Sequence, residues 1–229
     1  MRFLTLRTCS GELYGRAVGW WTIGQLGSGH RRIQSGALMA VTAVRAADSR
    51  QRFIDAAIGL FTRHSFAGTS LQMIADEVGV TKSAVHHHFR TREELLNAVV
   101  EPLLGEVRRA VEAAEGKRGR RARAERMLTG FVDLAVRNRL LVPMLVGDPG
   151  PIEMLRSRTE VSDLVNRMIM LLADLDPGVG GWIKADMVMA GIAGGMSARS
   201  SGLDDDVLRR YLIEASRRTL GLRAPRCLT

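Results

Sequence analysis

The sequence predicts an all-α protein: a small N-terminal three-helix unit of helix-turn-helix type, followed by a larger helical half. Three observations carry this. From residue 49 onward apolar side chains recur at helical spacing, with no strand-like alternation and no internal repeat. Ala, Leu, Met and Arg are abundant while aromatics make up 5% of the chain, a balance that leans towards helix. Clusters of Gly, Pro, Ser and Asp separate the apolar runs.

Residues 1–47 stand apart, with scattered glycines, a Trp20-Trp21 pair and no sustained helical period. Met39, followed by Ala-Val-Thr-Ala-Val, offers an alternative start. Residues 1–38 therefore read either as a gene-start artefact or as a disordered basic arm lying along a nucleic-acid backbone. Ser49 can cap a first helix running to His64, in which Phe53, Ala57, Leu60 and Phe61 form one apolar stripe. Ser65 to Gly68 form the break. Thr69 or Ser70 caps a second helix whose Ile74, Ala75 and Val78 face the same core. Gly79 supplies a turn position able to take positive φ, and Val80 plugs the turn. A third helix spans Thr81 to Phe89. Thr91-Arg-Glu-Glu94 is a capping box that opens a fourth helix reaching Ala114.

The larger half, residues 97–222, is expected to hold helices at 122–139, 140–146, 152–175, 182–199 and 204–220. Its breakers are 147–151, 176–181 and 200–202. Asp204-Asp-Asp206 and Arg217-Arg218 suit the two ends of the last helix dipole, and Gly221 stops it. Residues 223–229 are a tail.

The net charge of +9 favours an anionic partner, yet most of the excess lies before residue 46 and in Lys117–Arg126. Charge alone is therefore no proof of nucleic-acid binding. Cys9 and Cys227 lie near opposite ends, which argues against a disulfide framework or metal site and fits a reducing cytoplasm. No apolar run approaches the ~18 residues of a membrane span.

The third helix carries the chemistry. Residues four apart share a helix face, so Val85 and Phe89 point into the core while Ser83 and His87 point away. Lys82 with His86 flanks one side of that outward face, and Ala84 with His88 the other. Small residues near the helix start permit close approach to base edges. Lys and imidazole can donate to phosphate or to guanine O6 and N7. The bland alternative is a helical hairpin whose polar face is merely solvated. A metal reading of His86-His87-His88 fails on geometry, because three consecutive residues spread over about 200° of a helix and cannot converge on one ion.

Over Arg50 to Leu96 the sequence resembles the DNA-binding domain of TetR (tetracycline-repressor-like) regulators. The matching positions are Ile54, Ala56-Ala57, Leu60-Phe61, Phe66, Thr69-Ser70, Ile74-Ala75, Gly79-Val80, Thr81 to Phe89 and Thr91 to Leu95. The resemblance implies that Thr69 and Lys82 bind phosphate. It places Thr81, Ser83, Ala84 and His87 where base contacts lie. His86 and His88 stand where backbone-contacting tyrosines are usual, which implies a mild pH sensitivity. Ser70 and Arg92 complete the candidate set. Ser65 replaces the usual glycine after the first helix.

The resemblance also implies dimerisation through the last two helices, a ligand held within each subunit, and an operator of pseudo-palindromic double-stranded DNA. Gly191, Gly194 and Gly195, with Leu208 and Leu212, suit close approach of a partner helix, or equally tight packing within one chain. Phe131, Met144, Met168, Leu172, Trp182 and Met187 are candidate walls of a pocket for a small, largely apolar molecule, or simply core. Neither a cofactor nor a metal is expected. Nor is an enzyme, since the chain shows no nucleophile–base pairing, HExxH or phosphate loop. The reading is a cytoplasmic, homodimeric, ligand-released repressor. Its alternatives are a regulator without a small-molecule ligand, acting as an activator or through protein partners, and a helical scaffold that binds protein alone.

Overall fold

Ten α-helices and no strand make up the described residues. The structure is a computed structural model that describes residues 30–196 and 202–222, with side chains from Ala47 onward. Of residues 1–38, read as an arm or artefact, residues 1–29 lie outside the described residues, as do both cysteines, while residues 30–38 are helical. Residues 45–229 form one compact unit.

Helix α1 spans His30–His64, so Ser49 sits inside the helix and not at its cap. From residue 30 to 50 there is no proline and Gly36 is the one glycine, so no strong breaker stops the helix. Ile33, Ala37, Val41 and Val44 recur here at helical spacing, a pattern that the sequence reading passed over. The outlying short helices follow: α2 is Leu71–Val78 and α3 is Lys82–His88. Ser70 is the N-cap of α2, its hydroxyl accepting from the Met73 amide at 3.2 Å. Gly79 ends α2 at φ 75°, and the Val80 amide donates back to the Ala75 carbonyl, a Schellman closure that needs left-handed backbone.

Helix α4 (Arg92–Glu115) opens on Thr91, whose hydroxyl accepts from the Glu94 amide at 3.0 Å. The Glu94 carboxylate reaches back to the Arg90 amide, one residue beyond the usual box partner. It runs on into the larger half and packs against α5 (Arg120–Arg137), where Gly130 lets the helices close. A Cβ there would lie 3.3 Å from that of Ala110. α6 is Leu141–Gly147 and α7 is Pro149–Arg156. The stretch 147–151, expected as a loop, is a single hinge residue, Asp148, followed by the proline-rich first turn of α7.

The expected helix 152–175 is two helices, α7 and α8 (Thr159–Ala173). Ser157 and Ser162 hydroxyls donate to the carbonyls of Met154 and Arg156, offering the backbone a local alternative to a continuous helix. α9 (Val179–Gly195) and α10 (Asp205–Leu220) complete the chain. Asp204 caps α10 by accepting from the Asp206 and Val207 amides, and Gly221 ends it at φ 70°. Pairings α4–α5, α5–α10, α8–α9 and α9–α10 enclose the larger half. One cluster of buried side chains runs without interruption from Phe53 to Leu222. No helix of the described residues is long and apolar enough to cross a membrane.

Candidate nucleic-acid interface

The hairpin α2–α3 is held by its inner face and leaves its outer face bare. Ile74, Ala75, Val85 and Phe89 are buried, so both short helices are fixed by packing and not by their own length, which is too short to be stable alone. Lys82, Ser83, His86 and His87 are exposed, and Ala84 and His88 are half-buried at the edge. The Thr81 and Ser83 hydroxyls share a hydrogen bond of 2.9 Å at the start of α3. A 7-residue helix with small groups at its start and one cation beside them matches what a major groove admits.

The three imidazoles are not equivalent. The His88 ring lies 5.4 Å from the Phe53 ring and 5.3 Å from that of His87. Burial pushes its pKa below the usual histidine range, and the neighbouring His87 and Arg50 push the same way. His88 is thus a neutral edge residue packed on the core, whereas His86 and His87 face outward. Two exposed arginines that the sequence reading passed over flank this surface. Arg50 stacks on the Phe89 ring at 5.0 Å, and Arg90 follows the C-cap of α3, Phe89. Their position beside the hairpin was the available signal.

Two expected contacts are occupied inside the protein. Thr69 is only 1% exposed, and its hydroxyl donates to the Ser65 carbonyl at 2.8 Å, which removes it as a phosphate donor. Ser70, exposed at the N-terminus of α2, is the polar residue left there. The guanidinium of Arg92 donates to the carbonyls of Phe66, Ala67 and Thr69 and lies 5.1 Å from the Phe66 ring centre. It clamps the turn before α2. Ser65 has φ 62°, the left-handed backbone that its replacement of a glycine implied.

The candidate pocket residues do not meet around one cavity. Phe131, Met144, Met168 and Leu172 are buried in the core, while Trp182 is 44% and Met187 60% exposed. Trp182 lines a cleft of about 460 Å³ with Met170, Leu171, Arg123 and the Glu115–Arg167 pair. The Arg167 guanidinium donates twice to that carboxylate, which holds Glu115 below the usual carboxylate range. Met144 lines a different cleft, of about 470 Å³, between the end of α1 and α6. Of the candidate dimer residues, Leu208 and Leu212 are buried within their own chain, and a Cβ on Gly195 would lie 2.7 Å from Leu212. Gly191 and Gly194 face open space.

Residues 53–99 match the model of the bacterial regulatory proteins of the tetR family. That match spans 47 of the chain's 229 residues and makes this stretch similar to the tetR family. Helices α2 and α3 lie within that stretch. The HTH-type transcriptional regulator SrpR of Pseudomonas putida is 42% identical over 59 residues, 26% of this chain and 28% of that protein. The nicotine-responsive transcriptional repressor HdnoR of Paenarthrobacter nicotinovorans is 34% identical over 89 residues, 38% of this chain and 46% of its own length. The chain thus spans less than half the length of these curated relatives. Among solved structures, the ketosteroid transcriptional regulator KstR2 of Mycobacterium tuberculosis aligns with 75% of this chain and 93% of its own at a TM-score of 0.60. At 15% identity that likeness shows a shared fold alone.

Proposed function

We propose that the protein is a sequence-specific DNA-binding transcriptional regulator of the cytoplasm. It acts as a homodimer on a pseudo-palindromic operator and represses until a small, largely apolar ligand releases it. The observation that carries the reading is the outer face of α3. Ser83, His86 and His87 are exposed beside Lys82 on a helix whose opposite residues, Val85 and Phe89, are buried. A merely solvated face has no need of small residues and a cation at the helix start. That a relative is a nicotine-responsive repressor supports the sign of regulation and the presence of a ligand.

The test is fluorescence anisotropy with a DNA fragment that the protein itself enriches from a random pool, across a salt series. Saturable binding roughly 10³-fold tighter than to random DNA, and steeply weakened by salt, is expected. Lys82→Ala should weaken binding to every sequence and reduce the salt slope by about one, while His87→Ala should erode preference for the enriched sequence. Equal, weak affinity for all DNA would overturn the reading.

A second reading, regulation without a small-molecule ligand, is favoured by one specific observation. The six candidate pocket side chains share no cavity: Phe131, Met168 and Leu172 are buried, Met144 and Trp182 line two separate clefts, and Met187 is exposed. Under the ligand reading, the open cleft beside Trp182 is the place where an apolar body could rest on indole and thioether. Quenching of Trp182 fluorescence by a bound apolar probe, abolished in Met170→Glu, would separate the two.

A further inference from the structure

Asp148, the single residue between α6 and α7, ties the larger half to the turn that leads into the reading hairpin. One of its carboxylate oxygens accepts from the Phe66 amide at 2.7 Å, across 82 positions of sequence. The other accepts from the Gly150 amide at 3.1 Å and so caps α7. Capping alone does not require a carboxylate, since Ser or Asn caps a helix equally well. What Asp148 uses is a second acceptor pointing away from its own helix.

The peptide it holds is a demanding one. Ser65 sits at φ 62°, the Thr69 hydroxyl closes the turn on the Ser65 carbonyl, and Ser70 then caps α2. The Phe66 ring lies edge-on to Phe61 at 5.4 Å, and Phe66 Cδ1 is 3.5 Å from the Cβ that Gly150 lacks. Arg92 of α4 grips the carbonyls of the turn, leaving the Phe66 amide to Asp148. The start of α2 thus hangs between two anchors, one at the root of α4 and one at the α6–α7 junction.

We propose that Asp148 is a positioning residue for DNA reading, through which the placement of α6 and α7 sets the placement of α2 and hence of α3. A shift of the junction pulls on the Phe66 amide and is felt at the N-terminus of α2, beside Ser70. The consequence for DNA rests on the proposed function, whereas the contact itself does not.

The experiment compares full-length Asp148→Ser and Asp148→Ala with the wild type. Serine keeps a cap for α7 but is one atom too short to reach Phe66; alanine loses both. Exchange of the Phe66 amide is expected to quicken about tenfold in both variants. Asp148→Ser should melt a little below the wild type and above Asp148→Ala, which also loses the cap. It should nevertheless lose about tenfold in the ratio of affinities for the enriched sequence over random DNA, with its salt slope unchanged. A purely structural cap would leave that ratio untouched in Asp148→Ser. The proposal is overturned if Phe66 exchange is unchanged in both variants, or if it quickens while the ratio stays that of the wild type. A wild-type protein that enriches no sequence would overturn the DNA-reading proposal itself, and the exchange arm would still decide whether Asp148 holds the turn.

Discussion

Ser65 and Gly79 occupy the same left-handed region of backbone, at φ 62° and 75°, and they bracket α2. A residue with a Cβ costs roughly 1 kcal/mol there, a glycine almost nothing. Gly79→Ala should therefore lower stability by about 1 kcal/mol, even though its new Cβ would meet no atom within 4 Å. Ser65→Gly should do the opposite by a few tenths of a kcal/mol, because relief of strain outweighs the loss of an exposed 3.2 Å bond from the Gly68 amide to the Ser65 hydroxyl. Denaturant midpoints of the two variants check both signs. His88 yields a pH dependence. Its folded pKa is lowered by burial, His87 and Arg50, so the folded state resists a proton that the unfolded chain accepts near its ordinary value of about 6.5. Stability is complete above that value and falls as pH drops below it. The melting midpoint of the wild type should therefore fall more between pH 7 and 5.5 than that of His88→Gln. Local chemistry of this kind was legible in the sequence wherever the partner is near in the chain, as at Ser70, Gly79 and Thr91. Thr69 and Arg92 were misread because what occupies them, the carbonyls of the Ser65–Thr69 turn, is a product of folding.

Helix boundaries show the same division at the next scale. α10 was legible at both ends, because Asp204 and Gly221 carry the geometry of their caps in their own side chains. The split between α7 and α8 was not, since Ser157 and Ser162 act through bonds of three and six residues that leave no mark on apolar spacing. The start of α1 at His30 was missed although Ile33, Ala37, Val41 and Val44 recur at helical spacing. The capping box gives the sharpest prediction for an element. α4 joins the α2–α3 hairpin to the larger half, and its first turn depends on the Thr91 hydroxyl and the Glu94 carboxylate. Thr91→Ala should cost about 1 kcal/mol of global stability, and Thr91→Ser far less. Equal losses in the two would mean that packing of the threonine methyl, and not the cap, is what matters. Ion pairs join the same elements, Arg137 to Glu106 and Arg209 to Asp133. At partial exposure each contributes at most about 1 kcal/mol, so the packed faces of α4, α5 and α10 dominate.

At the scale of the whole molecule the proposed dimer has a definite surface. α9 buries Ala185, Val188, Ile192 and Ala193 against its own chain and turns Ile183, Met187, Gly191 and Gly194 outward, one stripe at spacings of four, four and three. Ile183 is 54% and Met187 60% exposed, so the stripe carries two large apolar side chains open to solvent. Gly191 and Gly194 let another backbone come near. The sequence could mark the glycines of α9 but not tell which serve the chain itself. Gly195, Leu208 and Leu212 turn inward, and Gly191 and Gly194 outward, only once α10 has packed. The substitution that follows is Met187→Glu. Its side chain touches solvent in the single chain, so the fold should survive, while a charge buried at a two-fold interface would be opposed by its own symmetry mate. Sedimentation should show wild-type dimer and Met187→Glu monomer at micromolar concentration. Loss of the dimer unlinks the two reading helices. Affinity for a full operator should then fall by roughly 10² or more, while the salt slope per hairpin is retained. Leu208→Ala is the control: it should lower melting by opening a cavity in the core and leave the dimer intact. A dimeric Met187→Glu with wild-type affinity would place the interface elsewhere, and a monomeric wild type that still prefers a palindromic site would show that DNA itself brings the two copies together.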